Sequence, residues 1–313
     1  IFWLNIKKFQ QFSNRGVVTL TIFYCQNITK SANVEMDRER RIDKVVKYMK
    51  VLSAFIIIGA LCFTSNVKAE VSEEEYAKLR SMFSEARLSI MTDEEKELLA
   101  SDNTTVEEKI YEVTETVNGT FNYSEVDPDD IDSVLQNFHS GVSTQDAFHQ
   151  TSYKRIQIID SSSGNSVHRI MVYTQWLVTP ATKSFDVTAM RIDGGYVVDG
   201  TQTGTQTYWA NGSYDYVNYS PNGTNIRKAD NGFGISMNLV NDASYFETDI
   251  SANVIATSSS ATAYGTYQHA VTDVSLSASQ SYTISHNGFG DVLNFATGVQ
   301  NYYDGMAGVS IAL

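Results

Sequence analysis

"YKRIQIID" (Tyr153–Asp160) and "VHRIMVYTQWLV" (Val167–Val178), separated by the turn-forming SSSGNS, are the two runs that decide the fold. Both are dense in Ile, Val, Tyr and Trp, residues that suit a pleated, half-buried surface, and their apolar positions recur at a period near two. The same texture continues through "SFDVTAMRI", "GFGISMNLV", "FETDISANVIAT", "ATAYGTYQHA", "YTISH" and "GVSIAL", each bounded by Gly, Asn, Asp or Ser clusters. Many short strands without intervening helical patterns imply antiparallel sheets packed face to face. The expected fold is mainly β: an antiparallel β-sandwich, jelly-roll-like or similar, over residues 151–313, preceded by a small α+β module.

That module, residues 70–150, carries its own signals. Ser72 followed by Glu75, and Thr92 followed by Glu95, are two capping boxes, so two short helices are expected, the first burying Tyr76, Leu79, Met82 and Phe83. "KIYEVTETVNGTFNYSEV" alternates around Asn118-Gly119 and predicts a β-hairpin. "EVDPDDIDSVLQNF" crowds Asp127, Asp129, Asp130 and Asp132 like a calcium loop but lacks the glycine and closing Glu of an EF-hand. Asp127 as N-cap with Pro128 at the first helical position explains the same residues. One repeat recurs: "NGFGISMNL" from Asn231, "NGFGDVLNF" from Asn287, and a degenerate "DGMAGVSI". It is expected to form a turn into a strand, with Asn and Gly in left-handed geometry, the Phe in the core and a bulge at the second Gly.

Upstream lies "MKVLSAFIIIGALCFTSNVKAE" (Met49–Glu70). Its apolar run, Val51–Phe63, is thirteen residues long, short of the roughly 20 that span a bilayer core. Lys44, Lys47 and Lys50 precede it and Val67-Lys68-Ala69 follows, the layout of a signal peptide over residues 45–69 cleaved between Ala69 and Glu70. Residues 1–44 are then expected to be upstream sequence that the cell does not translate, or an extended n-region. A lipoprotein reading of Cys62 is disfavoured by Leu61 before it. No permanent transmembrane anchor is expected.

Charge and cysteine bound the function. The chain is −13 overall, but 11 of its 23 basic residues lie at or before Lys68, leaving 12 basic and 32 acidic residues beyond it, a net −20. Such a field argues against nucleic acid and polybasic membrane docking. Residues 70–150 hold 20 acidic and 5 basic groups and residues 151–313 hold 12 and 7, a step that places a domain boundary near residue 150. Both cysteines, Cys25 and Cys62, precede the cleavage point, so a cysteine-free, acidic mature chain is expected, without disulfides.

Catalytic signals are sparse. His139, His149, His168, His269 and His286 stand at no metal-binding interval, no G-x-S-x-G is present, and the β region has a single Glu, Glu247, beside scattered aspartates. No metal and no cofactor are expected. His269 stands four residues before Asp273, a weak candidate proton-transfer pair for an extracellular hydrolase. The stronger candidate is "TYWANGSYDYVNYSPNG", in which Tyr208, Trp209, Tyr214, Tyr216 and Tyr219 surround Asn211-Gly212. Aromatic faces among amides suit sugar rings, although the same residues also describe an ordinary hairpin. Aromatic loops on a sandwich also resemble the interfacial patches of pore-forming toxins of the actinoporin and fungal-lectin type, without their basic residues.

"EEEYAKLRSMFSEARLSIMTDEE", "SFDV", "YGTYQHA" and "YDGMAGVSIAL" together resemble uncharacterised secreted β-rich proteins of Gram-positive bacteria. The resemblance implies export and carries no activity to any residue. The expected function is non-catalytic binding at or outside the cell surface, to a glycan through Tyr208, Trp209, Asn211, Tyr214, Tyr216 and Tyr219. The alternatives are a membrane-active sandwich and a hydrolase.

Overall fold

The structure, a computed structural model, describes residues 71–116, 121–140, 148–162, 167–285, 292–305 and 308–313. Residues 1–70, the Asn118-Gly119 turn, His286, the NGFG of the second repeat, Asp291 and residues 306–307 lie outside the described residues.

Three short helices come first, α1 (Glu73–Met82), α2 (Glu85–Ile90) and α3 (Asp93–Ala100). Both expected capping boxes form: Ser72 and Thr92 accept from the amides of Glu75 and Glu95, whose carboxylates bond back to the cap amides. Two helices were expected where three occur. The additional one, α2, is six residues long and is capped by Ser84, whose hydroxyl accepts from the Arg87 amide.

The remainder is β. One eight-stranded antiparallel sheet has the order β2 (Phe121–Val126), β1 (Thr104–Thr116), β3 (Phe148–Ser162), β4 (Val167–Val178), β11 (Tyr245–Ala256), β7 (Thr203–Ala210), β8 (Ser213–Tyr219), with β6 (Gly195–Val197) also paired to β11. A five-stranded sheet has the order β15 (Val309–Ala312), β12 (Thr262–Gln268), β5 (Phe185–Asp193), β10 (Gly232–Asn238), β9 (Ile226–Ala229). The charge step near residue 150 falls inside β3, and β1, on its acidic side, pairs along the length of that strand.

Alternation along the strands explains the layering. Ile156, Ile158, Ile170 and Val172 point inward and meet Met190, Ile192, Phe233, Ile235 and Tyr267 of the smaller sheet in one buried cluster. Their neighbours Ile159, Met171 and Tyr173 point outward and bury Leu79, Met82, Phe83, Leu88 and Leu99 of the helices. A fourth helix, α4 (Ile131–His139), follows a 3-10 turn capped by Asp127 as the sequence predicted, and sets Ile131 against Ile110 and Tyr153 on the same outer face. On the far side of the smaller sheet, the hairpin β13 (Tyr282–Ile284) and β14 (Leu293–Phe295) packs over Val187 and Ala189.

The first copy of the N-G-F-G repeat enters β10 with Phe233 fully buried, as expected, but the reason for its glycines differs. Neither Asn231 nor Gly232 has a positive φ, and β10 runs against β5 without a register shift. A Cβ on Gly232 would stand 2.3 Å from the Met190 carbonyl oxygen, and one on Gly234 2.6 Å from the Tyr282 hydroxyl. Close approach, not turn geometry or a bulge, requires glycine there.

Candidate functional site

The aromatic segment forms the β7–β8 hairpin. Asn211 (φ 53°) and Gly212 (φ 83°) are its two-residue turn, the left-handed pair that matches the twist of the flanking strands. The register pairs Trp209 with Tyr214, Thr207 with Tyr216 and Thr205 with Asn218, which puts these residues on the outer face of the large sheet. Gly204, opposite Tyr219, faces Ile235 and Met237 of the smaller sheet, so Tyr208, two pairs further along from Gln206, faces inward with Tyr219. The six candidates are therefore divided: Trp209, Tyr214 and Tyr216 share one face, Tyr208 and Tyr219 pack against the inter-sheet core, and Asn211 makes the turn. Trp209 and Tyr214 meet edge to face at 4.7 Å, and Tyr214 meets Tyr245 likewise at 5.7 Å. Tyr214 and Tyr216 are about half exposed, at 52% and 48%.

Tyr216 borders an open cleft of about 440 Å³ between the helices and the outer ends of β4, β7, β8 and β11. Arg87, Glu95, Arg169, Thr203, Thr205 and Asn218 contribute to its lining, with Asp249 among them. Sequence reasoning found Tyr216 but none of these polar partners, because they converge from α2, α3, β4, β7, β8 and β11. Arg87 is fixed by Asp249, Nε to Oδ2 at 2.6 Å and a terminal nitrogen to Oδ1 at 3.2 Å. Burial works against the Arg87 charge, but the Asp249 carboxylate, with Glu95 and Glu247 beyond it, outweighs that and raises its pKa. Arg169 donates to neutral oxygens, those of Thr201, Asn253, Thr203 and Ser251, the last at 2.7 Å. Burial lowers its pKa against the opposing pull of Glu95 and Asp249.

Beside the cleft, Glu247 accepts from the hydroxyls of Ser84 (2.8 Å), Tyr245 (2.9 Å) and Tyr173. Burial raises its pKa, partly offset by those hydrogen bonds. The three donors leave the carboxylate enclosed in the layer between helices and sheet, 1% exposed, rather than presented to a substrate.

The second sequence candidate lies elsewhere, at one end of the inter-sheet core. His269 pairs through Nδ1 with Asp186 at 2.9 Å, not with Asp273, whose Oδ1 accepts a long 3.4 Å bond from Ser184. Asp186 also accepts from the Tyr267 hydroxyl and, at 2.9 Å, from the Ala270 amide. The Tyr267 oxygen in turn accepts from the Trp176 indole at 3.1 Å. Lys154 forms an ion pair with Asp304 in this cluster, and Asp304 Oδ1 accepts from the His269 amide at 3.1 Å. His269 is 6% and Asp186 1% exposed, so neither meets solvent as an acid–base pair acting on an external substrate would need to. Among the described residues no three His, Cys, Asp or Glu side chains are grouped to hold a metal ion, and no helix is long and apolar enough to cross a membrane.

No family model and no curated protein matches the chain. Among solved structures, the pilus backbone RrgB from Streptococcus pneumoniae is similar over 33% of this chain and 25% of its own, at 11% identity and a TM-score of 0.23. The collagen-binding domain of the Erysipelothrix rhusiopathiae surface protein RspB is similar over 40% of this chain and 60% of its own, at 11% identity and a TM-score of 0.23. IDO from Bacillus thuringiensis is similar over 61% of this chain and 98% of its own, at 8% identity and a TM-score of 0.15. The chain thus spans less than two thirds of the pilus backbone and of the collagen-binding domain.

Proposed function

We propose that the chain is a non-catalytic binding protein that acts outside the cell and takes a glycan on the outer face of its large sheet. The observation that carries this is the cleft that Tyr216 borders: a half-exposed aromatic side chain shares its lining with the polar Thr203, Thr205, Asn218, Glu95 and Arg169. Sugar rings present a C–H face to stack and a rim of hydroxyls to bond, and this lining offers both kinds of partner. Trp209 and Tyr214 extend the aromatic surface along the same face. In the lining, Arg87 is engaged with Asp249 and Arg169 with four neutral oxygens, which favours holding a ligand over proton transfer to it.

A glycan array probed with the wild type, Tyr216→Ala and Trp209→Ala tests the reading. Tyr216→Ala is expected to weaken the best signal about tenfold, the equivalent of about 1.4 kcal/mol, and Trp209→Ala to weaken it less. No signal for the wild type, or equal signals for wild type and Tyr216→Ala, would remove the glycan. The extracellular setting rests on the signal-peptide layout through Ala69. N-terminal sequencing of protein recovered from the medium should begin at Glu70; protein retained inside the cell would refute export.

A further inference from the structure

We propose that Lys154 and Asp304 join covalently, as an intramolecular amide between the lysine amine and the aspartate side chain. Lys154 stands on the inward face of β3, paired in register with Tyr111 on one side and Trp176 on the other. Its Nζ is paired with Asp304, and both side chains are wholly shielded from solvent. Two aromatic rings border it: Nζ lies 5.1 Å from the Trp176 ring centre and 5.3 Å from that of Tyr267. Among the described residues, Asp304 is its one hydrogen-bond partner. A lysine ammonium has three protons to satisfy, and a dry pair that satisfies one of them is a poor device for stability. The same arrangement is a good one for condensation, because nucleophile and electrophile are held together without water to compete.

The acceptor carboxyl is oriented for attack. The Asp304 amide donates to the His269 carbonyl at 2.9 Å, and the His269 amide donates back to Oδ1 at 3.1 Å. That amide is placed to stabilise the oxygen that becomes negative when Cγ turns tetrahedral. Oδ2, on the Nζ side, is the oxygen that leaves. Asp186 reaches this centre through two intermediaries: it accepts the Tyr267 hydroxyl, whose ring borders Nζ, and the His269 side chain, whose backbone holds Asp304. It is a positioning residue for the reaction.

The chemistry balances without a co-reactant. One proton passes from Nζ to the Asp304 carboxyl along the hydrogen bond between them, giving a neutral amine and a carboxylic acid. The nitrogen lone pair forms the Nζ–Cγ bond. A second Nζ proton passes to the departing hydroxyl, the Cγ–Oδ2 bond breaks, and one water leaves. The amide nitrogen keeps one proton and both charges are gone, which suits a site with no solvent.

Intact-mass measurement on the purified protein, read against its sequenced N-terminus, tests this directly. The wild type should be lighter than its sequence by one water, and a tryptic digest should hold a branched peptide joining Lys154 to Asp304. Lys154→Met and Asp304→Ala should each show full mass at those peptides. A wild type of full mass overturns the proposal. So does a water loss confined to Asp304-Gly305, the mark of a succinimide, with Lys154 in an ordinary linear peptide. Asp186→Asn, shown to be folded by circular dichroism, should form the link many times more slowly in a mass time course, with Asp186→Glu recovering part of the rate. An unchanged rate in folded Asp186→Asn overturns the part given to Asp186.

Discussion

Arg87 and Asp249, 162 residues apart in sequence, meet as a two-pronged pair with side-chain exposures of 3% and 4%. This pair ties α2 to β11 and lies in the lining of the cleft, so the helices are keyed to the sheet by charge as well as by apolar contact.

Removing one member leaves the other charged and dry. Arg87→Met should destabilise the protein by about 3–5 kcal/mol, read as a lower urea midpoint, because the uncompensated Asp249 bears the cost. Replacing both, Arg87→Met with Asp249→Leu, should recover most of that loss. If the double variant is no more stable than the single one, the cost lies in packing and not in the orphaned charge.

Glu247 gives stability a definite pH sign. Its pKa is raised by burial, so between the ordinary glutamate range and its folded value the native state holds a proton that the unfolded chain has released. Its contribution is fully present below that window and is lost as pH rises through it. Glu247→Gln should therefore gain on the wild type as pH rises toward neutrality, and the two should converge in acid. Asp160 and Asp249 shift in the same direction, so the difference between variant and wild type, not the wild-type curve alone, isolates Glu247.

The glycines of β7 and β10 should differ in tolerance. A Cβ on Gly204 meets the tips of Ile235 and Met237, at 2.7 and 3.1 Å, which can rotate aside, and the Asp249 carbonyl oxygen less tightly, at 3.2 Å. Gly204→Ala should cost about 1–3 kcal/mol. At Gly232 the obstacle is a backbone carbonyl at 2.3 Å, so Gly232→Ala should cost more in the same denaturation experiment and shift β10 away from β5.

Thr92→Ala removes a helix cap at the edge of the cleft. A loss of about 1 kcal/mol is expected, with faster amide exchange confined to the first turn of α3. Exchange that speeds up across α1 as well would show that the helices open as one unit.

Much of this fold was legible because its signals are local. The alternating runs gave β4 to the residue, and the hydroxyl-to-glutamate spacings gave the starts of α1 and α3. Helix α2 escaped because six residues are too few to display a period, and Ser84 before Glu85 was its one mark. The division of the aromatic cluster was readable in principle. With Asn211-Gly212 as a two-residue turn, Trp209 must oppose Tyr214, which assigns Tyr208 and Tyr219 to the other face. The cleft and the Lys154 cluster were not readable. Lys154 meets Asp304 across 150 residues and His269 meets Asp186 across 83, separations at which no spacing rule operates.

The place of Lys154 and Asp304 in the chain has a mechanical consequence. Residues 155–303 are the loop that a bond between them would close, and that loop holds most of both sheets. Tension applied between the start of β3 and β15 would bypass the loop and run along one covalent strut. Under load such a domain would yield at its ends, peeling β15 and the helical layer, while the enclosed strands kept their length.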